Sequence, residues 1–355
     1  MAVDRVRRVA LRCDGGPTMG VGHVMRCVAL GEELSARGHE VLLWGDLGGI
    51  GWLHELITQH GYPVHAAPTD PQDCASSAAD LQLDAVVLDG YHLHPGIGGA
   101  LAADSRRVLT LVDYGFGVAQ YADVYVDQNL GARRHPDLPA DSIDLSGIDY
   151  ALFRDSVRER RRSLPHHSPP RHFAEDGTGP AVTRVVAVFG GTDAYGAAPV
   201  VLPALLAVGE PVDVTAVATD EQHIAALRAL PLGPGQSLRI HPPQPDFGAL
   251  VQDADLVLSA SGTSVWELLC MGIPTAVICV VDNQEEGYRQ GLEHAVVTGL
   301  GHLGHFDSAV ASAALAPLVT DASVRAAFAG RGEVLIDGRG RGRVVDAFLR
   351  GPTND

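Results

Sequence analysis

The chain has 355 residues, a formal net charge of −17 at pH 7 and only 5% aromatic residues. That balance argues against nucleic acid and anionic membrane surfaces as partners, since phosphate backbones call for clustered positive charge and single strands for stacking platforms. All 26 basic residues are Arg, which excludes chemistry built on a lysine: a P-loop, a Schiff base or a lysine general base.

The length predicts two domains, and 41 Gly with a 46% hydrophobic fraction suits an α/β chain. Cys13, Cys27, Cys74, Cys270 and Cys279 show no metal-ligand spacing and mostly sit in or beside apolar runs, so they read as small hydrophobes in a reducing cytoplasm. Charged Asp4, Arg5, Arg7 and Arg8 interrupt the first residues, which do not read as a signal peptide, and no apolar run approaches a membrane span.

In chain order, Val6–Leu11 reads as a strand, 14–22 as a glycine-rich turn, and His23–Arg37 as a helix stopped by Gly38. Strand-like runs recur at Val41–Trp44, Ala85–Leu88, Val108–Val112 and Val124–Val126, with helical stretches at Leu53–His60, Ala75–Leu81 and Ile97–Ala103. From Arg158 to Pro180 periodicity is lost, and a basic run leads into a Pro- and His-bearing stretch that reads as a linker. The run reads as solvated, and His166 and His167 as surface residues more readily than metal ligands. Alternation restarts with a strand at Val185–Phe189, a helix at Ala197–Val208, strands at Val212–Ala218, Leu256–Ser259 and Thr275–Val280, and late helices at Ser308–Leu318, Ser323–Ala329 and Val344–Leu349. The pattern predicts two doubly wound, Rossmann-like domains, with ligands beyond the carboxyl ends of parallel strands. The expected organisation is an N-terminal domain over 1–155, a linker over 156–182, a C-terminal domain over 183–335, and a terminal helix and tail over 336–355.

Three turns at such strand ends carry candidate chemistry. Gly20-Val21-Gly22-His23 opens the first helix; its glycines permit close approach of a ligand, and His23 suits a general base, with Asp14 expected to hold the other ring nitrogen. The alternative is that His23 merely caps the helix, but the flanking glycines favour catalysis. Met25 stands where a dinucleotide fingerprint would need its third glycine, which argues against NAD. Ser261-Gly262-Thr263-Ser264 presents helix-start amides suited to an anion, and Glu267 stands one turn above Thr263 on the same face, where a carboxylate could accept from vicinal sugar hydroxyls. An ordinary helix start with a solvated Glu fits the same spacing. Asp253-Ala254-Asp255 spells D-x-D but reads better as a turn into a buried strand. Asp89, Tyr91, Asp113 and Tyr114 sit at strand ends, where sugar-holding groups and plain turn residues both occur.

Together, Leu11-Arg12-Cys13-Asp14 with 20–27, Val87-Leu88-Asp89-Gly90-Tyr91, Leu111-Val112-Asp113, Asp127-Gln128-Asn129, 150–154, Phe189-Gly190-Gly191-Thr192-Asp193, 254–274 and Asp282-Asn283-Gln284 resemble the PseG-type UDP-sugar hydrolases of pseudaminic acid biosynthesis and the related spore-coat polysaccharide proteins, within the GT-B nucleotide-sugar superfamily. A shorter second-half pattern also resembles the lipid-linked N-acetylglucosamine transferase of peptidoglycan synthesis. The resemblance implies a GT-B fold with two domains facing across a cleft, and a UDP-(amino)sugar cleaved at its anomeric carbon by water, with inversion and without a metal or other cofactor. It implies His23 as the catalytic base, aided by Asp14; Gly191, Thr192, Gly262, Thr263, Ser264 and Glu267 at the nucleotide; Gly22, Arg26, Asp89, Tyr91, Asp113, Arg154, Asn283 and Gln284 at the sugar; and 243–247 near the base. Departures fall on the sugar side: Gly15-Gly16-Pro17-Thr18 replaces small hydroxyl residues, Gly90 and His92 alter the segment around Tyr91, and Tyr114 replaces a second Asp. A GT-B glycosyltransferase acting on another acceptor, and a non-catalytic nucleotide-sugar binder, are the competing expectations.

Overall fold

The computed structural model describes residues 6–16, 19–115, 117–163, 182–191, 193–244 and 246–350. The chain forms two units, Met1–Asp155 with Gly338–Asp355, and Ser156–Asp337.

The first unit alternates β1 (Arg8–Cys13), α1 (Gly22–Ala36), β2 (Glu40–Trp44), α2 (Gly51–Gln59), β3 (Val64–His65), α3 (Pro71–Asp80), β4 (Ala85–Asp89), α4 (Ile97–Ala103) and β5 (Arg107–Leu111), then β6 (Val124–Asp127) and β7 (Ile143–Ser146). Its seven strands pair in parallel in the order β3-β2-β1-β4-β5-β6-β7. Strand side chains alternate between faces. Val9, Leu11, Val87 and Leu109 pack under α1, whereas Ala10, Val86, Leu88 and Val108 pack on the other side with Ile97 and Leu101 of α4.

α5 (Asp155–Ser163) begins at the boundary between the units. Part of the stretch read as a solvated linker is therefore helical, and its arginines have partners: Arg160 reaches Asp246 at 2.8 Å, and Arg161 donates to the carbonyls of Cys270 at 2.7 Å and Glu333 at 3.0 Å. The remainder of that stretch, with His166 and His167, lies outside the described residues.

The second unit continues with β8 (Thr183–Val188), α6 (Ala197–Leu206), β9 (Val212–Val217), α7 (Glu221–Arg228), β10 (Ser237–His241), α8 (Phe247–Val251), β11 (Leu256–Ala260), α9 (Ser264–Cys270), β12 (Thr275–Cys279), α10 (Glu285–Glu293), β13 (Thr298–His302), α11 (Ser308–Thr320) and α12 (Ala322–Leu335). Its six parallel strands run β10-β9-β8-β11-β12-β13 around a core that includes Val185, Ala187, Val214, Leu256 and Leu258. Asp255 of the D-x-D accepts from the Arg184 amide at 2.8 Å at the amino end of the sheet, which is a strand-joining role. No helix among the described residues is long and apolar enough to cross a membrane.

The four strands that the apolar pattern missed, β3, β7, β10 and β13, are the edges of the two sheets. An edge strand is half solvated and lacks the apolar run of a central parallel strand.

α13 (Gly340–Arg350) packs on α1 and completes the first unit. Its buried Arg341 donates to Glu32 at 2.6 Å, to Asp155 at 2.5 Å, to Glu33 at 3.1 Å and to the Phe153 carbonyl at 3.1 Å. Burial pushes the Glu32 carboxyl up, to about 7, against the Asp155 amide and the Arg341 charge. Arg341→Ala strands these acids, so chemical denaturation at neutral pH should show a loss of about 3 kcal/mol. Because the raised Glu32 is stabilising below the ordinary carboxyl range and costly above about 7, that loss should shrink as pH falls through 7.

Candidate functional site

In the first unit the chemistry-bearing side chains gather at the carboxyl ends of β1, β4, β5 and β6. Parallel pairing sets Cys13 opposite Asp89, so the end of β4 lies beside the turn that opens α1. His23 Nδ1 and Asp89 Oδ1 are 2.7 Å apart. Asp89 is buried; burial alone would raise its carboxyl, but the Arg26 and His23 partners outweigh this and hold it lowered, so it is a carboxylate that can only accept. The Nδ1–H of His23 therefore donates to Asp89, and in the neutral ring the lone pair is on Nε2. Arg26 Nη2, 3.2 Å from the same Nδ1, is a neighbour and not its donor.

Arg26 lies one turn along α1 and spans two carboxylates. It donates to Asp89 from Nε at 2.5 Å and Nη2 at 2.6 Å, and to Asp113 from Nη1 at 2.8 Å. Burial opposes the guanidinium charge, but Asp113 and Asp89 hold its pKa well above the ordinary value. Asp113 also accepts from the Tyr91 hydroxyl at 2.6 Å and the Asn129 amide at 2.9 Å. Its carboxyl is held far below the usual range despite burial, first by Arg26. The Tyr91 ring stands edge-on to His23, with centroids 4.7 Å apart, while Tyr91 itself is 48% exposed.

The expected partnership of Asp14 with His23 is corrected. Asp14 instead accepts from Arg12 at 2.8 Å, His92 Nε2 at 2.5 Å and the Asp46 amide at 2.7 Å. The β1–β4 register puts Asp89, not Asp14, against the imidazole. His92 lies over Gly90, whose φ of +159° is rare for other residues and where a Cβ would come within 2.9 Å of the imidazole. Gly22 is exposed at the start of α1. Arg154 is buried, and its charge acts on Glu32 and His60. The role of Asn129 was missed as a side-chain contact. Asp127-Gln128-Asn129 at a strand end was its only signal.

In the second unit, Gly190 and Gly191 form an exposed turn after β8, where the Asp193 carboxylate caps α6 through the amides of Ala197 and Ala198. Thr192 and Pro245 lie outside the described residues. After β11, Gly262, Thr263 and Ser264 lead into α9 ahead of its first amide–carbonyl bonds, Val265 to Gly262 and Trp266 to Thr263. First-turn amides have no intrahelical acceptor. Glu267 is half-buried one turn on. Gln284 borders this turn: its Oε1 accepts from the Val280 amide at 3.1 Å and lies 3.5 Å from Ser261 Oγ, whereas Asn283 is exposed.

Two parallel six- and seven-stranded Rossmann-like sheets in these strand orders define a GT-B fold. The chain is similar to the solved structure of Acinetobacter baumannii MurG, at a TM-score of 0.66 with 16% identity over 96% of this chain and 99% of that one. Among curated sequences it is 21% identical over 308 residues to an uncharacterised protein of Methanocaldococcus jannaschii, covering 84% of this chain and 61% of that protein. A 51-residue segment is 41% identical to an uncharacterised glycosyltransferase of Methanosarcina mazei, 14% of this chain and 12% of that protein. The chain thus spans less than two thirds of the length of these curated relatives. No family model matches it.

The Arg26 bridge generates a stability prediction. Asp89 and Asp113 have folded pKa values below their unfolded ones, so the stability they contribute is complete above the unfolded carboxyl range and is lost as pH falls through the lower folded values. Denaturant midpoints should drop below about pH 4 in the wild type. Arg26→Met should cost about 3–5 kcal/mol at pH 7, with the gap narrowing in acid as the stranded carboxylates protonate. Parallel pH profiles would contradict the bridge.

Proposed function

We propose that the chain is a nucleotide-sugar enzyme that cleaves a UDP-(amino)sugar at its anomeric carbon, with water as the principal acceptor and no metal in the chemical step. The observation that carries this reading is the His23–Asp89 pair, a buried imidazole whose tautomer leaves Nε2 as the proton acceptor at a parallel-sheet carboxyl end.

The charge of the two units supports a division of labour. Around His23 the first unit presents the half-exposed Tyr91 above carboxylates bridged by Arg26, a polar surround that suits hydroxyl and amine groups. The second unit presents glycine turns and helix-start amides at 190–191 and 262–264, with Glu267 one turn on, which suit a diphosphate and a ribose diol. In the reaction, His23 Nε2 takes a proton from water as its oxygen bonds to the anomeric carbon. The bond from that carbon to the phosphate oxygen breaks, UDP leaves with the electron pair, and configuration inverts. Asp89 offsets the positive charge of the protonated ring and holds its orientation. The segment shared with a relative named as a glycosyltransferase favours a second reading, in which an acceptor hydroxyl replaces water at the same base.

Incubating the full chain with a panel of UDP-sugars, amino-modified ones included, in heavy-oxygen water should yield UDP and labelled free sugar. Faster UDP release with an unlabelled conjugate on addition of an acceptor would establish the transferase reading. No UDP under either condition would overturn both. His23→Ala and Asp89→Asn should each lower kcat by about 100-fold or more with nucleotide affinity retained. Glu267→Ala should weaken UDP binding in calorimetry by about 1–3 kcal/mol, and unchanged affinity would remove Glu267 from the nucleotide site.

A further inference from the structure

We propose that Cys279, Glu285 and His302 of the second unit form a binding site for a zinc-class divalent transition-metal ion. The three come from different elements: the last residue of β12, the first of α10 and the last of β13. Their ligand atoms all lie within 4.8 Å of one another. Cys279 Sγ is 3.6 Å from Glu285 Oε2, and His302 Nε2 is hydrogen-bonded to that same oxygen. Bond lengths of about 2.0 Å to nitrogen or oxygen and 2.3 Å to sulfur place tetrahedral zinc ligands roughly 3.3–3.7 Å apart. The sulfur–carboxylate pair already has that spacing, and modest side-chain rotation moves the imidazole to it.

A register irregularity assembles the cluster. β12 and β13 pair Ala276 with Thr298 and Val277 with Gly299, but then Cys279 with His302, where an unbroken register would give Gly301. One extra residue on β13 is absorbed at Gly301, whose φ of +88° favours glycine and whose amide donates to the Tyr288 hydroxyl at 3.0 Å. A bulge of this kind re-aims the next side chain; without it His302 would not stand opposite the thiol. Glu285 is set by the preceding 3-10 turn, Asp282–Gln284, which the Gln284 side chain ties to the Val280 amide.

The donor set selects the class of ion. A thiolate, an imidazole and a carboxylate suit zinc or cobalt, whereas magnesium and calcium prefer oxygen alone. The buried sulfur lies beneath side chains of Glu285 and His302 that are 54% and 47% exposed, so an ion can enter from solvent. On binding, the thiol proton passes to solvent, His302 ligates as neutral imidazole, and a fourth position is left to water. The ion would pin the turn carrying Asn283 and Gln284 to the ends of both strands. The three ligands are independent of His23 and its chemistry.

The test is titration of the untagged full chain with cobalt(II) under reducing conditions. The expected result is a near-ultraviolet thiolate-to-cobalt absorption that saturates at about one equivalent and is displaced by zinc. Cys279→Ser should abolish it. His302→Gln and Glu285→Gln should each weaken cobalt binding by more than about 10-fold, the lower end for loss of a mere outer partner. Circular dichroism checks each variant, and the surface position of His302 keeps the test decisive if Cys279→Ser does not fold. Absence of the band, its persistence in Cys279→Ser, or wild-type cobalt affinity in His302→Gln would overturn the proposal.

Discussion

A single guanidinium organises the first unit's crest. Arg26 reaches two carboxylates that end neighbouring parallel strands, and both are buried deeply enough that either would be costly without it. Because Asp89 is pinned from one side by Arg26, its other lone pairs are aimed at His23; because Asp113 is pinned likewise, it can fix Tyr91 and Asn129. The orientation of the imidazole is thus inherited from an ion-pair lattice spanning α1, β4 and β5, and the histidine has little freedom of its own.

The second unit's crest differs in being made chiefly of backbone. Its crest turns are built of glycine and small hydroxyl residues, and the neighbouring carboxylate of Asp193 is already committed to capping α6. In a chain of net charge −17, these turns offer amides whose dipoles are fixed by the fold.

Much of this was legible in the residues. Central strands announced themselves because parallel strands buried on both faces are nearly continuous apolar runs; Asp89, Tyr91 and Asp113 stood out just past strand ends, His23 in the glycine turn that opens α1, and Arg26 only through the family resemblance. What escaped was information carried by register. The choice of Asp89 over Asp14 as the partner of His23 depends on how β1 and β4 align, and chain order puts Asp14 closer. The edge strands escaped because half their surface is wet. Cys279, Glu285 and His302 escaped because their spacing of six and seventeen residues has no meaning until a bulge aligns them.

Gly90 and His92 carry a consequence for how relatives of this chain can diverge. The imidazole occupies the volume that any side chain at 90 would need, and it is held there by Asp14. A mutation adding bulk at 90 evicts the ring and leaves Asp14 one donor short, whereas losing the exposed ring removes that donor and leaves only solvent in its place. Glycine at 90 is thus the condition for histidine at 92 to reach Asp14, and the dependence runs one way: the ring requires the glycine.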